Sequence, residues 1–81
     1  MAQVPRFFFH IYDEIAVHDD EGLDLPDVAR ARATALAGAR ALMCDQLKDG
    51  RLNLDHRIEV EDEAGEPVLI LLFADAIEIR P

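Results

Sequence analysis

Along the chain, apolar and polar positions change their spacing several times, and each spacing predicts a different element. From Arg6 to Asp13 aromatic and β-branched residues dominate, with Phe7, Phe9 and Ile11 on one side of an extended chain and Phe8, His10 and Tyr12 on the other. That pattern predicts a strand. Ile15 to Val17 reads as a short return strand after a turn at Asp13 and Glu14, and the acidic stretch Asp19 to Glu21 ends it at Gly22.

A helix follows. Asp24 offers an N-cap oxygen, Pro26 suits the first turn because its missing N–H has no partner there, and Asp27 complements the helix dipole. The alanine-rich segment should carry the helix to about Lys48, with Gly50 as the left-handed stop. At about 100° per residue, Val28, Ala31, Ala35, Leu36, Ala39, Leu42, Met43 and Leu47 share one broad arc, the stripe of a helix lying on a sheet. The opposite arc carries Arg30, Thr34 and Lys48 among Ala33, Ala37, Ala41 and Cys44, so the back of the helix is small and smooth. Arg32 falls inside the apolar arc. Its stem can snorkel to the rim, or its charge can pair with an acid or hold an anion.

Beyond a connector holding Leu52 and Leu54, Ile58 and Val60 alternate with Glu59 and Glu61, as in a strand with one wet face. Asp62 to Gly65 is turn chemistry, and Val68 to Phe73 is the return strand. Ala74 and Asp75 interrupt it before Ile77 and Ile79 resume the alternation.

The expected fold is α+β: a small antiparallel sheet, in chain order β-β-α-β-β, with one long alanine-rich helix packed on one face, as a single domain over residues 1–81. One helix covers one face, yet the first and last strands are apolar on both. Phe8, Tyr12, Leu69, Leu71 and Phe73, with His10 among them, are expected on the uncovered face, each forfeiting about 1.5–3 kcal/mol of burial. This predicts a homodimer, or a protein partner, that covers the face or continues the sheet at an edge. Terminal segments folded back as a lid are the alternative.

Composition narrows the partners. The 81 residues are 51% hydrophobic with a mean hydropathy of zero, as in a folded domain. Seventeen acidic against eight basic side chains leave a net charge of −9, which repels a phosphate backbone, so no nucleic acid is expected. The longest apolar run, Val68 to Ala74, falls far short of the ~20 residues of a membrane helix, and no membrane association is expected. No secretory signal is legible at the N-terminus, and the single Cys44 forms no intrachain disulfide, as in a cytoplasmic protein.

Candidate chemistry is sparse. There is no serine, the one threonine is Thr34, and the four glycines match no phosphate-binding loop. A first hairpin turning about Glu14 would set His10 opposite His18, and with Asp19 or Asp13 the pair could bind a divalent metal or share a proton. A strand histidine beside a solvated acidic turn explains the same residues. The ligand candidates are therefore His10, His18, Asp19 and Arg32, with no catalytic residue, metal or cofactor assigned. Cys44, near a helix C-terminus, lacks the electropositive surroundings of a reactive thiolate.

The segments RFFFHIYD, DDEGLDLPD, ARARATALA, GRLNL, IEVEDEAG and LLFADAIEI, taken in order, resemble a family of small bacterial proteins of unknown function. The matching positions are Phe8, Phe9, His10, Asp13, Asp20, Gly22, Leu25, Pro26, Asp27, Ala31, Arg32 and Gly65. The resemblance implies a strand, a capped helix entry, an alanine-rich helix and a closing hairpin, and it assigns no activity or ligand. The reading at this level is a small acidic cytoplasmic protein, a non-enzymatic interaction or regulatory domain acting as a homodimer or small subunit. A small metal- or ligand-binding enzyme using His10, His18 and neighbouring carboxylates is the alternative.

Overall fold

The computed structural model describes residues 4–81. Strand β1 (Arg6–Tyr12) is its hub. On one edge it pairs with two short strands, β2 (Ala16–Val17) near its end and β3 (Leu23–Asp24) near its start, and on the other edge with β4 (Arg57–Glu61). Strand β5 (Pro67–Leu72) lies outside β4, every pairing is antiparallel, and the sheet order is β2-β1-β4-β5 with β3 beside β1. The expected α+β fold is present. Strand β3, which follows the acidic stretch, was not expected.

Helix α1 spans Val28–Lys48, and its N-cap is Asp27, not Asp24. The Asp27 carboxylate accepts the Arg30 backbone N–H at 2.8 Å, satisfying one of the helix's orphan donors. Asp24 is instead held in the sheet, where Arg6 Nε meets its carboxylate at 2.9 Å and Leu25 N–H donates to the Pro5 carbonyl. At the other end Gly50 takes φ +79°, its N–H donates to Leu47 O, and Arg51 N–H donates to Gln46 O. This is the two-bond Schellman stop, at the predicted residue.

Ala31, Ala35, Ala39 and Met43 are the helix residues buried in the core, and with the exception of Met43 they have no side chain beyond a methyl. The helix therefore lies close on the sheet, against Ile58, Val60, Leu71 and Phe73. Leu36 and Leu42 are partly buried, while Val28 and Leu47, at the ends of the predicted stripe, are exposed. Arg32 is exposed at the helix surface.

The β4–β5 turn is tied by Asp62, whose carboxylate accepts the N–H groups of Ala64 and Glu66, with Gly65 at φ +80°. A bulge between Val60 and Glu61 inserts Val68, since Val60 faces Leu69 and Glu61 faces Pro67. Beyond it, Leu69 and Leu71 face Val60 and Ile58 and so point to the helix side. Phe73 begins a short 3-10 turn, Phe73–Ala76, and is fully buried. Its N–H donates to His56 O at 2.8 Å. Ile77 packs on the core, whereas Ile79 is exposed and the expected strand does not resume.

Candidate functional site

The predicted uncovered sheet face is built differently from its expectation. Leu69, Leu71 and Phe73 belong to the helix side: the run Val68 to Phe73 is apolar throughout, so its composition carries no facing information, and pairing with β4 decides it. The other face carries Phe8, His10 and Tyr12 from β1, opposite Glu61, Glu59 and Arg57 from β4. Ile70 and Leu72 follow on β5, both exposed.

Much of β1's outer face is covered by the chain itself. Gly22, at φ +73°, lies so close over Phe8 that a Cβ there would come within 2.9 Å of its ring. The His18 ring lies 5.1 Å from that of His10 and 5.9 Å, edge-on, from that of Tyr12. The Arg57 guanidinium sits 4.5 Å over the Tyr12 ring, a cation–π contact, and its Nε donates to Glu59. His10 is accordingly only 8% exposed, and Phe8 and Tyr12 are half-buried. The excursion from Asp13 to Gly22 and the long β4 side chains thus cover the β1 part of this face, while Ile70 and Leu72 of β5 stay exposed.

His10 and His18 do face one another, because Ile11 pairs with Val17 and Tyr12 with Ala16, the register of a turn about Glu14. Asp19 organises the group. Its carboxylate accepts backbone N–H bonds from Phe9 (3.1 Å), Glu21 (3.1 Å) and Gly22 (3.0 Å), while its own N–H donates to His10 Nδ1 at 3.1 Å. Burial pushes the Asp19 carboxyl up, but the N–H groups of Gly22, Phe9 and Glu21 outweigh it and hold the group below its ordinary range.

This arrangement stabilises a loop more readily than it binds an ion. His10 Nδ1 is already an acceptor, which leaves Nε2 as the protonated nitrogen of the neutral ring, 3.5 Å from Glu61. Among the described residues no group of three or more His, Cys, Asp or Glu is arranged to hold a metal. Arg32, on the helix, lies across the sheet from His10, so the four ligand candidates do not converge. Cys44 is exposed and unpaired.

A hollow lies elsewhere, between α1 and the inner face of β1. A groove of about 450 Å³ is lined by Phe9, Ile11, Leu23, Ala35, Leu42 and Ile58, with Thr34, Gly38 and Ala41 as the helix wall and Asp19 at the rim. It exists because α1 rests over β4, β5 and the 3-10 turn, and because the flank it turns towards β1 carries small side chains. Its polar atoms are engaged: Thr34 Oγ1 donates to Arg30 O, and Asp19 accepts its three backbone bonds. Past Leu42 lies a smaller, acidic hollow of about 240 Å³ lined by Asp13, Glu14, Asp45 and Asp49, with Arg51 paired to Glu14 at 3.2 Å.

Sequence reasoning did not single out this groove, Asp19's role as a backbone acceptor, or Gln46, whose side chain bonds both Asn53 N–H and His56 to fasten the connector. The available signal was the run of small residues at helical spacing on the back of the helix. No helix among the described residues is long and apolar enough to cross a membrane.

Comparison with curated proteins finds no match, and neither does comparison with solved structures. A family model does match, over residues 6–74, from the first strand to the 3-10 turn. The chain belongs to the family described as Domain of unknown function (DUF6894).

Proposed function

We propose that the chain is a non-enzymatic interaction domain whose working form is an assembly, either a homodimer or the small subunit of a complex. The groove between α1 and β1 carries this reading. Its lining among the described residues is mostly apolar, and the two polar side chains that reach it, Thr34 and Asp19, are already hydrogen-bonded to backbone groups. Such a surface rewards the burial of an apolar face, at roughly 25 cal/mol per Å² removed from water, and offers little to a polar substrate. Ile70 and Leu72, exposed on the edge strand β5, are another apolar surface.

The test is a dilution series followed by amide NMR and light scattering. Assembly through the groove predicts concentration-dependent shifts at Phe9, Ile11, Thr34, Gly38, Ala41 and Leu42. A protein that remains monomeric into the millimolar range, and captures no stoichiometric partner from its own cells, refutes the reading.

A further inference from the structure

We propose that the groove receives helix α1 of a second copy of this chain, packed antiparallel to the first about a two-fold axis between Ala37 and Gly38. The inference rests on the interaction reading above and names the partner.

Space comes first. A helix is about 10 Å across and strands lie about 4.8 Å apart, so one helix covers about two strands. Helix α1 covers β4 and β5, and β1 presents Phe9 and Ile11 half-buried beside it. The place left on the sheet is one helix wide.

Charge selects the occupant. Helix α1 holds Arg30, Arg32, Arg40 and Lys48 against Asp45 alone, four positive less one negative, or +3. The chain as a whole is −9, so everything outside the helix sums to −12. The cationic element of this protein is therefore the helix itself, and the groove is bordered by Asp19 and, past Leu42, by Asp13, Glu14, Asp45 and Asp49. Among the described residues Arg30, Arg32 and Arg40 form no ion pair, although the other basic side chains do.

Register follows from the helix sequence. An axis between Ala37 and Gly38 sets Thr34 opposite Ala41, Arg30 opposite Asp45 and Asp27 opposite Lys48. Small side chains meet at the centre, where close approach of two helices requires them, and opposite charges meet at both ends. All of these positions fall on one side of the helix, the side that forms the groove wall and the smooth back. A contact of this kind is self-complementary, as a two-fold interface must be. It also places Arg30 of the second copy over the acidic hollow.

Sedimentation equilibrium on the full chain tests this, with circular dichroism to confirm that each variant folds. Wild type is expected to dimerise at tens of micromolar. Ala37→Glu, an exposed change that a monomer tolerates, should abolish dimerisation. Arg30→Asp and Asp45→Arg should each weaken it about ten-fold, since each breaks two symmetric ion pairs. The double variant Arg30→Asp/Asp45→Arg should recover to within about three-fold of wild type. A wild-type monomer at millimolar concentration overturns the proposal and leaves the groove to another occupant. A dimer indifferent to Ala37→Glu, yet broken by Ile70→Lys at the sheet edge, overturns this pairing while leaving the interaction reading standing.

Discussion

Replacing Asp19 with alanine removes the acceptor of three backbone N–H groups at once. The Phe9 amide lies on the partly buried edge of β1 between β2 and β3, and leaving it unsatisfied costs about 1–3 kcal/mol. The Glu21 amide is exposed and the Gly22 amide partly so; both can turn to water, and their bonds are worth about 0.5 kcal/mol each. The sum, about 2–4 kcal/mol, is a large share of the ~4–12 kcal/mol expected of a domain this size. Asp19→Asn should cost about half as much, because its one oxygen can serve Phe9 or the Glu21 and Gly22 pair, but not both. The pH dependence has a definite sign. Asp19 is held below its ordinary pKa of 3.8, so its contribution is complete above that value and is lost as pH falls through the lower, folded value. Urea unfolding of wild type and both variants at neutral pH and near pH 3, with amide exchange at Phe9 as a local reporter, measures all of this. An Asp19→Ala variant within 0.5 kcal/mol of wild type, or a gap between wild type and Asp19→Asn that widens as pH falls, would refute the reasoning.

Other substitutions probe the remaining supports. Phe73→Ala empties a fully buried ring site and should cost about 3–5 kcal/mol in chemical denaturation. Gly22→Ala combines a positive φ with contacts of 2.8–3.0 Å to Arg6, Phe8 and the Phe7 carbonyl, and should cost about 2–4 kcal/mol. Gly50→Ala meets the same backbone penalty in open space and should lower the denaturation midpoint by the equivalent of only about 1 kcal/mol. Asp27→Ala should cost about 1 kcal/mol and fray the first helical turn in amide exchange, while Asp24→Ala should leave that turn intact.

What the sequence revealed was whatever local chemistry decides. The helix end at Gly50 was legible because a left-handed residue stops a helix by itself, and the β1–β2 register because the turn at Glu14 sets it. The helix start was not, since Asp24 and Asp27 are equally good caps and a distant residue, Arg6, takes Asp24 for the sheet. Leu69, Leu71 and Phe73, expected on the uncovered face, lie on the helix side because an unbroken apolar run has no period; β4 and the bulge at Val68 decide which way it points. His10 and His18 face one another in the register that a turn about Glu14 would set, but their partner Asp19 acts through backbone amides, which leave no trace in side-chain spacing. The groove was invisible for a further reason: it depends on where the helix sits across the sheet.

The position of β1 between strands that are near and far in sequence also bears on how the sheet is made. Its pairing with β2 spans a few residues, whereas Phe8 meets Glu61 and Tyr12 meets Arg57 across the whole helix. Local contacts close early and distant ones late, because the entropy of the intervening loop is spent before the pairing is gained. During synthesis from the N-terminus, the strand richest in phenylalanine emerges well before β4 exists to join it. Asp19, bonding Phe9 from a distance of ten residues, is then the first cap available to that edge, and the β1–β4 ladder should be the last to gain protection in pulsed hydrogen exchange.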